Sequence, residues 1–306
     1  MGIVKLKYTQ PGSRWHVWTS VVPMLYTIST RLPSPILIVS WLVVFVVPQV
    51  VLAALNGRNG FYAALHFLSL FLTTNYVYEN GYLENDLRTV KREEKPTIRL
   101  SPDVFQRMDE DYRLIQILRG IVLAFLFGAA VAFETELISM LGLGALAAVF
   151  KLYNRTRKRI GLLWLFIMTS LRFSVPVIGY LNLGEYLVWL LAYPVPKTIE
   201  FASRSRYELS LLRFVKMSFE WFRLVYYSIA FGLLFIAHIV YPLGRNRQTM
   251  LIILAYLAVL RFGFMTISNF TSMGDRAKSV SPIRREVAEE AQSSDQCGNE
   301  QSDGER

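Results

Sequence analysis

The chain is constrained most strongly by its long apolar segments, which recur along most of its length. A helix that crosses the hydrocarbon core of a bilayer needs roughly 20 mostly apolar residues. Apolar residues make up 53% of the 306-residue chain, and charged residues only 18%. The apolar runs fall at about 35–55, 60–78, 114–133, 136–152, 160–181, 184–195, 218–241 and 249–270. This pattern predicts an all-α, polytopic integral membrane helical bundle with eight transmembrane helices.

The basic residues predict which helix ends face the cytoplasm. Most of the 33 Lys and Arg residues lie before the first run, in the connections after the second, fourth and sixth runs, and in the C-terminal tail. Short connections rich in Lys and Arg stay on the cytoplasmic side of a membrane. We therefore expect a multi-pass protein of the cell inner membrane, with both termini and these three connections in the cytoplasm. The net charge of +10 follows from the same rule, so nucleic-acid binding is not needed to explain it.

The composition divides the chain into three regions. We expect residues 1–34 to form a cytoplasmic or interfacial segment and residues 35–270 to form the transmembrane domain. Residues 271–306 lack aromatic side chains and are rich in Ser, Gln, Glu and Asp. Such a composition favours a disordered cytoplasmic tail. The single cysteine, Cys297, lies in this tail, so the chain cannot form an internal disulfide.

The first polar segment, "NYVYENGYLENDLRTVKREEKPTIRL" (75–100), concentrates oxygen ligands at the end of the second apolar run. Carboxylates and amides alternate there, at Glu79, Asn80, Glu84, Asn85 and Asp86. Mg²⁺ usually takes one or two protein carboxylates and completes its shell with water and phosphate oxygens. We therefore expect a metal–phosphate site in this segment. The alternative is an ordinary loop whose mixed charges lie in water.

The second polar segment, "KLYNRTRKR" (151–159), and the third, "PVPKTIEFASRSRYELSLLR" (194–213), supply groups that suit phosphate oxygens. The candidates are Tyr153, Arg157 and Lys158 in the second segment and Lys197, Glu200 and Arg204 in the third. Arg binds phosphate through two N–H groups, whereas Lys acts as a point charge. The simpler alternatives are a topology anchor for the second segment and helix-surface ion pairs for the third.

Two kinds of polar residue lie inside the apolar runs. Arg172 falls near the middle of a predicted span, where a cation is costly and is usually functional or tightly paired. His66 and His238 stand alone in apolar sequence, without Cys, His or Asp at metal-ligand spacing. We interpret both histidines as hydrogen-bonded packing residues.

These segments resemble the UbiA superfamily of intramembrane prenyltransferases. "LYNRTRKRIGLLWLF" is similar to the turn between helices 4 and 5 of that family. "KREEKPTIRLS" is similar to its K-P-x-R-P-x-x-S-G run, with Lys95 and Pro96 in place of Arg-Pro. The three polar segments also follow helices 2, 4 and 6, as the family's polar motifs do. The resemblance covers about residues 35–270 and implies a UbiA-like bundle of eight to nine transmembrane helices around a central cavity.

The resemblance also implies an activity. It suggests a transferase that moves a prenyl group from, or acts on, a polyprenyl diphosphate or phosphate, with Mg²⁺ as cofactor and an acceptor that the sequence does not identify. The residues it implies are Asp86, Glu79 and Asn85 as catalytic, Tyr153, Arg157, Lys158, Lys197, Arg204 and Lys95 as diphosphate-binding, and Glu79, Asn80, Glu84, Asp86 and Glu200 as metal ligands. The family's aspartate motif can be aligned from Asn75, Asn80 or Asn85, and none of these registers contains all three aspartates.

Two other functions fit the same sequence. The incomplete aspartate motif is compatible with a non-catalytic protein that binds or presents a polyprenyl lipid to partner enzymes. A small secondary transporter is the third alternative, because Arg172 and Pro176 place a charge and a helix-breaking residue near mid-span.

Overall fold

The computed structural model defines the fold over most of the region between the termini. The described residues are 15–56, 60–92, 99–133, 136–156, 159–203, 207, 209, 212, 214–215, 218–240 and 245–270. The predicted tail, 271–306, lies outside them. The chain forms two compact units, Met1–Arg261 and Phe262–Arg306. The described part of the second unit is the end of the last helix, up to Phe270.

The described residues form α-helices with two π-helical turns, two 3₁₀ turns (Val90–Arg92 and Ile178–Tyr180) and no strand. The α-helices are α1 Trp15–Val21, α2 Leu25–Arg31, α3 Pro35–Trp41, α4 Val47–Asn56, α5 Gly60–Glu84, α6 Pro102–Glu110, α7 Tyr112–Ala132, α8 Leu137–Arg155, α9 Gly161–Ser174, α10 Leu183–Ala192, α11 Pro194–Ala202, α12 Phe219–Val240 and α13 Arg245–Phe270. Each of the eight predicted apolar runs contains a helix, so the all-α prediction is confirmed. The third polar segment begins a helix of its own, because proline is favoured at the first position of a helix, where Pro194 lies in α11.

Five stretches of the described helices are long and apolar enough to cross a membrane. They are Pro35–Leu55, Tyr112–Ala132, Leu137–Arg155, Phe219–Val240 and Gln248–Thr266, and Gly161–Ser174 is a shorter apolar helix. Large apolar side chains point outward on these helices, for example Phe125, which is 80% exposed, and Leu233, which is 65% exposed. An outward apolar surface is what a bilayer solvates, which supports a membrane environment.

Helix α5 forms the centre of the bundle and contacts α7 and α8 along its length. Its buried Tyr78 packs in one cluster with Leu146 and Phe150 of α8 and with Met168 of α9. Gly81 makes the closest approach possible, because a Cβ at this position would lie 2.3 Å from the ring of Phe150. The missing side chain therefore brings the aromatic end of α8 against α5.

A π-helical turn, Leu42–Val46, joins α3 to α4 in the first apolar helix. Two of its carbonyls accept hydrogen bonds from distant helices. The hydroxyl of Tyr193 donates to Val44 O at 3.0 Å, and the hydroxyl of Tyr256 donates to Val43 O at 2.9 Å. Backbone groups inside a membrane need partners within the protein. These two tyrosines supply them where the helical ladder is irregular.

The described residues before residue 35 contain two short helices, α1 and α2. Helices α1 and α2 form a hairpin that packs Val17, Val21 and Tyr26 against the end of α5. His16 Nε2 lies 2.7 Å from Asp111 Oδ2, and the hydroxyl of Tyr76 donates to Val21 O at 2.8 Å. This N-terminal hairpin therefore covers one end of the central helix.

Candidate functional site

A row of aromatic rings brings the three polar segments together. Tyr82 on α5 lies 5.9 Å from Phe150 on α8, measured between ring centroids, and Phe150 lies 6.1 Å from Tyr153. Tyr153 in turn lies 6.4 Å from Phe201 on α11. Tyr78 completes the row, with its ring 4.9 Å from Tyr82. We call these five residues the aromatic row. It joins the first, second and third polar segments at one end of the bundle.

Asp86 binds two arginines and a phenol. It lies just beyond α5, in the π-helical turn Asn85–Thr89, and its side chain is only 2% exposed. Arg31 Nη2 lies 2.8 Å from Asp86 Oδ2, and Arg99 Nη1 lies 3.2 Å from Oδ1. Tyr26 donates its hydroxyl hydrogen to the same carboxylate at 2.8 Å. The predicted catalytic carboxylate thus holds the N-terminal hairpin and the segment at Arg99 against α5.

The predicted neighbour of Asp86 plays a smaller part in this cluster. Asn85 is half-buried, and its amide donates to Asp86 Oδ1 at 3.4 Å, a long hydrogen bond.

Glu79 is fully buried and accepts hydrogen bonds from backbone amides. Met24 N–H donates to Oε2 at 3.0 Å and Thr27 N–H to Oε1 at 2.8 Å. Met24 has a φ of 69°, in the left-handed region, so the turn of the N-terminal hairpin directs its amide toward this carboxylate. Burial raises the pKa of Glu79 above its usual range, although the charge of Arg119 and the two amides oppose that shift.

The remaining predicted ligands of the first polar segment have separate surroundings. Asn80 Oδ1 accepts from Arg119 Nε at 3.2 Å and from Gln116 Nε2 at 3.4 Å, and Glu84 is half-buried. Among the residues that the structure describes, no three carboxylate, imidazole or thiol groups converge as a metal site. The two buried carboxylates of the segment, Asp86 and Glu79, already accept hydrogen bonds from arginines, a phenol and backbone amides, and the magnesium requirement stays a prediction.

The third polar segment pairs with α12. Arg223 binds Glu200 through both Nε and Nη2, the latter at 2.8 Å, and also contacts Glu220. Lys197 is exposed, with its ammonium 4.0 Å from Glu200. Glu200 therefore serves an inter-helix ion pair, while Lys197 keeps an ammonium near the aromatic row. Four predicted phosphate-binding residues lie outside the described part of the chain: Lys95, Arg157, Lys158 and Arg204.

Two guanidinium groups border the aromatic row. The Cζ of Arg31 lies 4.3 Å from the ring centroid of Tyr82, and the Cζ of Arg172 lies 3.9 Å from that of Tyr78. Burial by itself would raise the pKa of the Tyr82 phenol, but Arg172, Arg31, a hydrogen bond from Tyr78 and Lys197 together lower it below its ordinary value. A phenol surrounded by cations in this way indicates a positive potential at this end of the bundle.

Arg172 also lines a recess between α3, α4, α5 and α9. Its Nη2 donates to Asn75 Oδ1 at 3.1 Å. The recess encloses only about 10 Å³, room for about one water-sized group, and it is lined by Trp41, Phe45, Gln49, Phe71, Asn75, Arg172 and Phe173. The sequence singled out Arg172 but neither Gln49 nor Arg31. Gln49 carried one signal, a lone amide in an apolar run, whereas Arg31 was indistinguishable from a topology-determining cation.

Comparisons with protein families, with curated proteins and with solved structures found no match to this chain. The resemblance to the UbiA superfamily therefore rests on sequence motifs alone.

Proposed function

We propose that this chain is a UbiA-like integral membrane transferase that acts on a polyprenyl diphosphate or phosphate. The observation that carries the proposal is the aromatic row, which joins all three polar segments and has a guanidinium at Tyr82 and another at Tyr78. A prenyl phosphate has an apolar chain and an anionic head. The aromatic rings suit the apolar chain, and the guanidinium groups beside them suit the anionic head.

The chemistry of prenyl transfer matches these surfaces. When the bond between the prenyl carbon and the diphosphate oxygen breaks, both electrons leave with the diphosphate, and positive charge develops on the allylic carbon. Aromatic faces attract a nearby cation. Arginine N–H groups stabilise the charge that builds on phosphate oxygens. Arg31, Arg172 and Lys197 are the cations closest to Tyr82 and Tyr78 in the aromatic row, and they would take that second task.

A second candidate function is binding or presentation of the same lipid without transfer. The contacts of Asp86 and Glu79 favour it, because arginines and backbone amides already occupy both carboxylates. Both candidates require recognition of a polyprenyl phosphate or diphosphate, and they differ only in turnover.

One assay separates the two candidates. The purified full chain in nanodiscs would be incubated with labelled prenyl diphosphates of several lengths and a panel of aromatic, sugar and lipid acceptors, with and without Mg²⁺. The transferase predicts a labelled product that falls at least tenfold in Phe201→Ala. The matched control, Phe125→Ala, changes an aromatic residue that is 80% exposed on α7 and should retain activity.

Saturable binding without product across the panel would favour the non-catalytic candidate. Absence of both binding and product would contradict the proposal itself.

A further inference from the structure

Arg172, in the recess, is a buried cation with no carboxylate partner among the described residues. Its contacts among them are one amide and three aromatic side chains, those of Asn75, Tyr78, Tyr82 and Phe173. A buried cation without a counter-ion is costly, inside a membrane protein above all. The recess is therefore suited to an anion that would form an ion pair with Arg172.

Gln49 adds an unsatisfied acceptor to the same recess. Gln49 is 3% exposed, and its amide nitrogen donates to Phe45 O at 3.0 Å. Because a carbonyl can only accept, the Gln49 nitrogen must face it, which leaves Oε1 as the free end of the amide. Gln49 Oε1 is buried and has no hydrogen-bond partner in the part of the chain that the structure describes. An unmet buried acceptor costs free energy on the order of 1–3 kcal/mol, so this oxygen favours a ligand that carries a hydrogen-bond donor.

The position and size of the recess restrict the ligand further. Gln49 follows closely on the π-helical turn Leu42–Val46, and such turns occur frequently at functional sites. The enclosed space of the recess is about 10 Å³, far below the ~300–1,000 Å³ typical of pockets that enclose a whole ligand. The recess can therefore take one oxygen of a head group, while the rest of the group lies at its open mouth. Four aromatic side chains of the lining, Trp41, Phe45, Phe71 and Phe173, suit the first apolar carbons attached to the head group.

We propose that this recess binds the head group of a lipid phosphate monoester in its singly ionised form. The anionic oxygens accept from Arg172, and the remaining P–OH donates to Gln49 Oε1. One cation and one acceptor match one negative charge and one hydroxyl, whereas a doubly charged head group would place its second charge against the Gln49 oxygen. This site rests on the proposed function and deepens it, because it names the monoester as the head group recognised next to the aromatic row.

The test uses the purified full chain in nanodiscs and two probes, farnesyl phosphate and dodecyl sulfate. Both probes are anionic and apolar, but the sulfate ester has no hydroxyl to donate. Gln49→Met should weaken farnesyl phosphate binding about tenfold, the effect of losing one hydrogen bond to a charged group, and should leave dodecyl sulfate binding unchanged. Arg172→Met should weaken both by more than about tenfold. Lys151→Met, at an exposed cation on α8, is the matched control.

The pH dependence gives a second readout. The second pKa of a phosphate monoester is about 6, so the singly ionised form grows as the pH falls from 7.5 to 5.5. The described recess lining has no carboxylate or imidazole. Tyr78 and Tyr82, which contact Arg172, and Tyr193, which contacts Phe45, are phenols, a group that ordinarily titrates near pH 10. The cations beside Tyr82 lower its pKa, but its titration would act equally in the wild type and in Gln49→Met. Farnesyl phosphate should therefore bind more tightly at pH 5.5 in the wild type, and this gain should disappear in Gln49→Met.

Each outcome separates specific alternatives. If the wild type binds farnesyl phosphate but Gln49→Met and Arg172→Met bind it equally well, the recess holds only water and this proposal fails while the proposed function stands. If the wild type binds neither farnesyl phosphate nor a prenyl diphosphate, both fail; if it binds only the diphosphate, this proposal alone fails. If inorganic phosphate competes as strongly as farnesyl phosphate, the site recognises a free anion and the lipid assignment is wrong. Arg172→Lys keeps the charge and serves as the folding control for Arg172→Met.

Discussion

Asp86 connects three parts of the chain through one carboxylate. It accepts from Tyr26 and Arg31 of the N-terminal hairpin and from Arg99, and it is nearly inaccessible to solvent. Removal of one partner from a buried ion pair leaves an uncompensated charge, which is more costly than the pair itself is stabilising. Asp86 therefore contributes to the stability of the fold, whether or not it takes part in catalysis.

Asp86→Asn should lower the free energy of unfolding by about 3 kcal/mol, because Arg31 would keep its buried position without a counter-ion. Asp109→Asn is the matched control, since Asp109 pairs with Arg88 and Lys91 at partly exposed positions. Exposed ion pairs contribute about 0–1 kcal/mol, so this control should change little. Denaturant unfolding in detergent measures both, and equal losses in the two variants would contradict the role of Asp86 in holding the N-terminal hairpin.

Glu79 should make stability depend on pH in a defined direction. Its folded pKa is raised, so its contribution to stability is fully present below the unfolded value of about 4.3 and is lost as the pH rises through the folded pKa. Glu79→Gln removes the titration. Across pH 4 to 7 the difference in Tm between the variant and the wild type should therefore shift in favour of the variant. A difference that shifts in favour of the wild type would show that the amides of Met24 and Thr27 outweigh the burial.

At the scale of elements, helix α5 positions the site through its polar last turns. The apolar run predicted a helix over 60–78, but α5 continues to Glu84 and is followed by the π-helical turn. The extension follows from tertiary contacts, because Glu79, Asn80 and Asp86 find partners on the N-terminal hairpin and α7. Such partners lie some 40–60 positions away, and a local hydrophobicity pattern carries no information about them.

Gly81 tests the close contact between α5 and α8. Gly81→Ala should destabilise the protein by about 1–3 kcal/mol, because the new methyl group would overlap the Phe150 ring and displace part of the aromatic row. Gly144→Ala on α8 is the control. A Cβ there meets no atom within 4 Å, so it should be neutral or stabilise the helix by up to about 1 kcal/mol. Thermal unfolding separates the two, and a neutral Gly81→Ala would contradict the close packing of Phe150 on α5.

Some features of the whole molecule were predictable from the sequence, and others were not. The membrane character and the helix in each apolar run were predictable, because a bilayer selects for local composition and length. The recess at Gln49 and the arginine pair at Asp86 were not, because each depends on residues from distant elements. The three polar segments meet in the aromatic row, where Tyr82, Tyr153 and Phe201 connect them.

The most direct measurement is the position of a bound prenyl chain. A photoactivatable prenyl diphosphate would be crosslinked to the full chain in nanodiscs, and the adducts mapped by mass spectrometry. Binding at the aromatic row predicts adducts on the peptides that contain Tyr78 and Tyr82, Phe150 and Tyr153, and Phe201, with unlabelled prenyl diphosphate competing. Adducts confined to the outward apolar surface, for example near Phe125 and Leu233, would contradict it.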